Sequence, residues 1–569
     1  MPIKLFTKHR LLTTVIPILL FSATLAGNWS GLLHFVRRTV ADASQWSGRP
    51  FRGNGEHTDA PRELAERFIS SGATLYYCPI TADGTLQPAD RSVHLALSWA
   101  LSPRPVRFGN KEDVGNSDAI IASRYLTHGF SGYSCVATNQ EAALWRRGEA
   151  NLSKPEPREA SQVLPAWREA IGLTFVCLLL LGIVNWAQTK CCADVQSSVA
   201  PNTKPPIATI NRVSLLVVSL FFIGLTIATL THTFLAPTGL GVYGGKAKLL
   251  YLSSGVPHNF FTDPAFSSYQ PAYPPALAIL TLLAYYIAGG CGEWLTQLIP
   301  AFAMALVLWL TIGKSGKAAW VWLWIVAAFT SKHVMQMATF YYAEPLAALC
   351  VVSGWLFLRQ KKGDWRGVIL LGMSGLFKNE GLIYLLAVWL AFGIRALPGI
   401  CKDKSGFVKT TSGIFKWLGC FVVAASLPLA WHVVCRLAGA TLYDYAPIWH
   451  PEKSKFLMAL WHLLKTAFLQ PWNYGFAYPL AVLIIVVVFW QYHRGRFHRS
   501  MIERHPLANI FVAALVPVIC LPIFAVIYSF SCAPSFSWHL KSSAVRLLWV
   551  PSLPLLAEIC RWHPNNTKK

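Results

Sequence analysis

The sequence is short of charge. Only 13% of its residues are Asp, Glu, Lys or Arg, about half the share usual in soluble domains. Acid is scarcer than base, with 26 Asp and Glu against 50 Lys and Arg. So little charge beside so much apolar residue excludes a disordered chain, which stays open because it lacks apolar surface to bury. The 13 Cys are scattered through 569 residues, with no CxxC and no Cys/His metal-ligand spacing. That excludes a disulfide-stapled miniprotein and leaves no zinc motif. There is no GxGxxG, no P-loop and no HExxH between positions 28 and 165, and no internal repeat is visible.

Apolar sequence is what the chain has in quantity. Hydrophobic residues make up 54%, and mean hydropathy is +0.41. The 23 Trp, 32 Phe and 19 Tyr suit a helical bundle with aromatic belts at two interfaces. The net charge of +24 sits in short gaps between apolar runs. That is the distribution that orients a membrane protein, basic loops inside, rather than the footprint of nucleic-acid binding. The expected fold is therefore an all-α polytopic membrane bundle of about 12–13 transmembrane helices, with a small extracytoplasmic α/β domain near the N-terminus.

Three regions follow. Residues 1–27 carry Lys4, Lys8, His9 and Arg10 ahead of an apolar run, Leu11–Ala26. This reads as a membrane anchor, with a signal peptide cleaved near Ala23–Ala26 as the alternative. Residues 28–165 lose hydropathy and form the candidate soluble domain. Its expected helices are Pro61–Ser71 and His94–Leu101. Its expected strands are Thr74–Ile80, Val106–Phe108, Ala119–Ala122 and Ser134–Ala137. Cys78 and Cys135 there are either a disulfide or two buried thiols. Residues 166–569 hold twelve further apolar runs, from Ile171–Ala187 to Ala544–Ile559. Several are shorter than the roughly 20 residues of a full span. The basic gaps Lys190–Arg212, Arg359–Arg366, Arg395–Lys416, Arg494–Arg504 and Arg561–Lys569 place both termini in the cytoplasm and the soluble domain outside. Between Pro275 and Glu344, three apolar runs conflict with that orientation, so one is re-entrant or two form one broken span. Asp364 reads as a solvated loop charge.

Four stretches on the outer side carry the chemistry. The loop before Ala276 reads Lys246-Ala-Lys248, then Phe260-Phe-Thr-Asp-Pro264, then Tyr269-Gln-Pro-Ala-Tyr-Pro-Pro-Ala276. Later come Tyr341-Tyr-Ala-Glu-Pro345, Phe377-Lys-Asn-Glu-Gly381 and Ser537-Trp-His-Leu-Lys-Ser-Ser-Ala-Val-Arg-Leu-Leu548. In these stretches, in this order, Val213–Pro551 resembles the bacterial GT-C glycosyltransferases. These depend on polyprenyl-phosphate sugars and include protein mannosyltransferases and lipid A aminoarabinose transferase.

The resemblance implies a membrane glycosyltransferase. It would move a sugar from a polyprenyl-phosphate donor to an extracytoplasmic acceptor in the cell envelope, from the inner (plasma) membrane. The family's loop acid would fall at Thr238, so Asp263, the nearest remaining acid of that loop, is the expected substitute; Asp263 and Glu344 are the catalytic candidates, and Lys246, Lys248, Lys378, Glu380, His539 and Arg546 the substrate-binding ones. The residues support this independently. Carboxylates at membrane depth are costly and usually functional, and cations suit a phosphate leaving group. Glu380 is expected to hold Lys378. No cofactor is implied, a divalent metal being the open alternative. The partners implied are the lipid-linked donor and membrane lipid, not nucleic acid. The sequence departs from the pattern at Thr238, Ala272 and Val545, where that family carries acids, and at Gln270, where it carries a histidine. Those departures keep two alternatives open: a catalytically degenerate scaffold, and a lipid or sugar transporter.

Overall fold

The computed structural model describes residues 16–44, 75–78, 106–108, 119–123, 133–138, 142–147, 166–196, 212–231, 239–263, 266, 269–291, 295–312, 319–360, 364–400, 407–440, 452–494, 506–530 and 536–561. Of these, 85% are helical. The helices are α1 Ile16–Ser44, α2 Ala166–Gln196, α3 Arg212–Thr231, α4 Lys246–Leu252, α5 Ala276–Ala288, α6 Leu298–Ile312, α7 Ala319–Phe329, α8 Lys332–Thr339, α9 Glu344–Gln360, α10 Trp365–Phe377, α11 Gly381–Ile400, α12 Phe407–Leu437, α13 Lys453–Leu469, α14 Ala477–His493, α15 Pro506–Tyr528 and α16 Phe536–Arg561.

Four stretches among the described residues are long and apolar enough to cross a membrane: Leu295–Ile312, Leu418–Leu437, Ala508–Tyr528 and Ser543–Arg561. Six more helices carry apolar stretches of 10–17 residues among the described residues. A helix of 13 residues, such as α5, rises about 20 Å and falls short of a ~30 Å hydrocarbon core. On α12, Val422, Leu427, Val433 and Leu437 point outward, the side that suits lipid.

A bent pair of helices lies just beyond the three apolar runs in question, at the junction of α8 and α9, and involves none of them. Together the two helices are apolar enough for one span, but they diverge by 104°. Tyr341 turns the chain there with a left-handed backbone, φ 62°. Pro345 then occupies the first turn of α9, where a missing N–H costs nothing.

The first helix runs through the expected boundary at 27/28. Asn28 is buried and donates from Nδ2 to the carbonyls of Ala327 (3.1 Å) and Trp472 (3.2 Å). The helix continues to Ser44 because two long-range amide bonds and its packing on α7 outweigh the loss of hydropathy.

In the stretch between α1 and α2, five short strands pair: β1 Leu75–Cys78, β2 Val106–Phe108, β3 Ala119–Ser123, β4 Tyr133–Thr138 and β5 Ala142–Arg147. Their order is β2-β1-β3-β5-β4. The β2-β1-β3 part is parallel and the rest antiparallel. The expected helices Pro61–Ser71 and His94–Leu101 lie outside the described residues. Cys78 on β1 and Cys135 on β4 stand three strands apart, about 14 Å, well beyond disulfide reach. The side chains of both lie outside the described residues.

Two glycine contacts set how closely helices approach around the site. A Cβ on Gly354 of α9 would meet the Gly367 carbonyl at 2.7 Å, and one on Gly367 of α10 would meet the Gly354 carbonyl at 2.7 Å. Backbone thus lies on backbone between α9 and α10. At the other end of α10, a Cβ on Gly381 would run into the backbone of Ser374 and Gly375. Only glycine closes the Lys378–Gly381 turn this tightly. The turn is sealed by Gly381 N–H to Lys378 O (2.9 Å) and Ser374 Oγ to Gly381 O (3.1 Å).

Candidate functional site

Lys378 is the residue that stops α10, and it leaves the helix in an extended backbone (φ −152°). That geometry directs its side chain to the start of α9. Nζ of Lys378 donates to Oε1 of Glu344 at 2.5 Å. Nη1 of Arg546, ten residues into α16, donates to the same oxygen at 3.0 Å. The side chains of Lys378, Arg546 and Glu344 are 8%, 18% and 1% exposed. Two cations on one carboxylate leave the triad one positive charge in excess. The other carboxylate oxygen, Oε2 of Glu344, is buried with no hydrogen-bond partner, as is Oδ1 of Asn379.

Tyrosines surround the triad. The Arg546 guanidinium lies over the Tyr342 ring at 4.8 Å, a cation–π contact. Its Nη2 donates to Ser543 Oγ at 3.3 Å, one helical turn back, and Ser543 in turn bonds Tyr528. Tyr273 also faces Arg546 electrostatically. Buried Tyr243 does so toward Glu344, Glu380 and Arg546. It sits on a π-helical turn, Gly239–Gly245, that leads into α4. Such turns are frequent at functional sites.

The triad unites three of the sequence-predicted residues and corrects one expectation. The partner of Lys378 is Glu344, 34 positions away, and not Glu380. Residues two apart do not face each other across a turn of this kind. Glu380 is half-buried at the head of α11, within electrostatic range of Arg546.

Lys246 stands on the opposite flank. It is 2% exposed, and its Nζ donates to the carbonyls of Gln270 and Tyr273, each at 3.1 Å. In this arrangement it braces the segment that leads into α5. Trp431 Nε1 holds the Ala272 carbonyl between them at 3.2 Å. Burial pushes the Lys246 ammonium down to about 7, with Cys435 a smaller opposing influence. Between pH 7 and the ordinary lysine value of 10.5, the unfolded chain therefore binds the extra proton, so stability rises with pH across that window. Unfolding midpoints in detergent at pH 7 and pH 9.5 should show the wild type gaining more than Lys246→Met over this interval. Equal gains would remove Lys246 as the source.

Lys248 is half-buried on the same helix. Asp263 is half-buried in the loop after α4, where its N–H bonds Asn259 O at 2.8 Å. His539 falls in the first turns of α16, but its side chain lies outside the described residues, as does Thr238. Asp364 corrects another expectation: it is 6% exposed, caps α10 and pairs with Arg366 at 2.5 Å. The charge is buried because it satisfies the helix N-terminus and a guanidinium at once.

A second buried ion pair lies at the far ends of α9 and α16. Glu558 accepts from Trp355 Nε1 (2.9 Å) and Arg359 Nε (3.0 Å). The two helices are thus tied at both ends with the polarity swapped, Glu344–Arg546 at one end and Arg359–Glu558 at the other. That fixes their register and holds Arg546 level with Glu344.

The tyrosine collar and Ser543 were not among the predicted site residues. Ser543 was readable: it precedes Arg546 by three, which puts both on one helix face. Tyr243 and Tyr528 carry no local signal, since only packing brings them in. Among the described residues no group of three or more His, Cys, Asp or Glu could hold a metal ion. Comparison with family models, curated proteins and solved structures finds no match to the chain.

Proposed function

We propose that the chain is a membrane glycosyltransferase that uses a polyprenyl-phosphate sugar, and that Lys378 and Arg546 receive the donor phosphate. The carrying observation is the triad itself: two cations and an excess positive charge, buried at one end of an apolar helix bundle. A polyprenyl phosphate keeps its tail in lipid and its phosphate at the interface. When the sugar leaves, negative charge grows on the phosphate oxygens, and fixed cations in a partly dry site offset it. Glu344, bonded to both cations, acts as their organiser. Its unpaired Oε2 and the unpaired Asn379 Oδ1 are acceptors suited to sugar hydroxyls. Asp263 is the proposed base for the acceptor hydroxyl.

The scaffold alternative has its own observation: Ala272, at a position where the family would carry an acid, is buried and offers only its carbonyl to Trp431. A panel of hexosyl and pentosyl polyprenyl phosphates separates the two. The purified protein in nanodiscs should release polyprenyl phosphate from at least one donor when an acceptor extract is added. Asp263→Asn should slow that release roughly 100-fold. Release from none, with polyprenyl phosphate still bound, assigns the chain to the scaffold reading. An Asp263→Asn rate within about twofold of wild type removes Asp263 from the mechanism.

A further inference from the structure

Tyr341 carries an unusual combination of features. It is a bulky residue in the left-handed backbone region, φ 62°, where such side chains are true outliers. It lies at the 104° break between α8 and α9. It is fully buried, and its hydroxyl meets that of Thr281 on α5. The direction of this bond follows from the partner. Thr281 Oγ1 donates its own hydrogen to Leu277 O at 2.9 Å, so it accepts from Tyr341.

The next residues are Tyr342, whose ring underlies Arg546, and Glu344, which holds both cations. The side chain of Tyr341 goes to α5 while Tyr342 and Glu344 go to α16. A strained residue of this sort persists only where its surroundings over-determine it. Here the surroundings are one phenol, one threonine and a bend. The helix that supplies Thr281 also follows directly from the Gln270–Pro275 segment braced by Lys246. This hydrogen bond therefore adds a link between the Lys246 side of the site and the Glu344 side.

We infer that Tyr341 and Thr281 form a positioning pair, which fixes Tyr342 and Glu344 against Arg546 without touching substrate. This inference rests on the proposed use of the triad as a phosphate site, and its test separates the two. Four variants suffice: Tyr341→Phe, Thr281→Val, Thr281→Ser and the double variant Tyr341→Phe with Thr281→Val. Two readouts are needed. One is affinity for polyprenyl phosphate in nanodiscs, and the other is hydrogen–deuterium exchange of residues 340–347. Tyr341→Phe and Thr281→Val should each weaken phosphate binding by about 10-fold, the scale of one hydrogen bond, and speed exchange in that segment. The double variant should be no worse than either single one, because both remove the same bond. Thr281→Ser keeps the hydroxyl and should behave as wild type in both readouts.

If the wild type binds no polyprenyl phosphate, the functional reading fails while the exchange pattern still judges the pair. Unchanged exchange in Tyr341→Phe and Thr281→Val overturns the inference whatever the affinity. So do additive losses in the double variant, or a Thr281→Ser protein as impaired as Thr281→Val.

Discussion

Glu344→Gln should destabilise the protein by about 3–5 kcal/mol, the usual cost of removing one member of a buried ion cluster. The amide leaves Lys378 and Arg546 facing each other with no anion between them. Both are largely buried, so water screens little of that repulsion. SDS-titrated unfolding, followed by tryptophan fluorescence, reads the loss. Adding Lys378→Met to Glu344→Gln should restore part of it, because one uncompensated charge disappears with the second substitution. Glu452→Gln is the matched control. Glu452 is 57% exposed and pairs with Lys455 one turn on, so its replacement should change little. A Glu344→Gln loss no larger than the control would mean that the triad does not hold these helices together.

The second large effect belongs to Arg546. Its guanidinium meets Glu344, Ser543 and the Tyr342 ring. A planar guanidinium fork matches the paired oxygens of a phosphate, and a lysine ammonium meets them only as a point charge. Arg546→Ala should weaken polyprenyl phosphate binding by about 100-fold, and Arg546→Lys by about 10-fold although the charge is kept. Lys378→Ala should lie near the Arg546→Lys value, since Lys378 acts as a point charge. Binding by both Arg546→Ala and Lys378→Ala at the wild-type level would make the cluster structural only, and the scaffold reading would follow.

Much of the helical architecture is legible as apolar runs. Leu295–Ile312 and Leu418–Leu437 are the same segments in the sequence and in the structure. The helices that escape notice are those whose signal is mixed. Lys453–Leu469 carries three lysines and a histidine, so its hydropathy reads as a loop edge. Residues 28–44 look soluble by composition, yet α1 continues through them on the strength of the Asn28 bonds to Ala327 and Trp472. The bend at Tyr341 has no glycine to announce it. The steric cost is carried by tertiary contacts, which no local pattern encodes.

The site divides in the same way. Lys378, Glu344 and Arg546 were each readable as charges where charge is costly, and they do meet. Their pairing was not readable. The sequence-local choice, Glu380, is two residues from Lys378, while the true partner reaches it only because Gly354 and Gly367 bring α9 against α10. Lys246 was expected to bind substrate, yet it spends two of its donors on the backbone of a neighbouring loop. A lysine in a motif cannot reveal which carbonyls fold beneath it.

The most direct test is a comparison of two lipids on the unmodified protein in nanodiscs: a polyprenyl phosphate, and the polyprenol of the same chain length. They share the apolar tail and differ only in the anion. Cations that receive the donor phosphate should favour the phosphate by at least about 10-fold, a preference that shrinks in Arg546→Ala. Equal affinity for the two lipids would contradict the account.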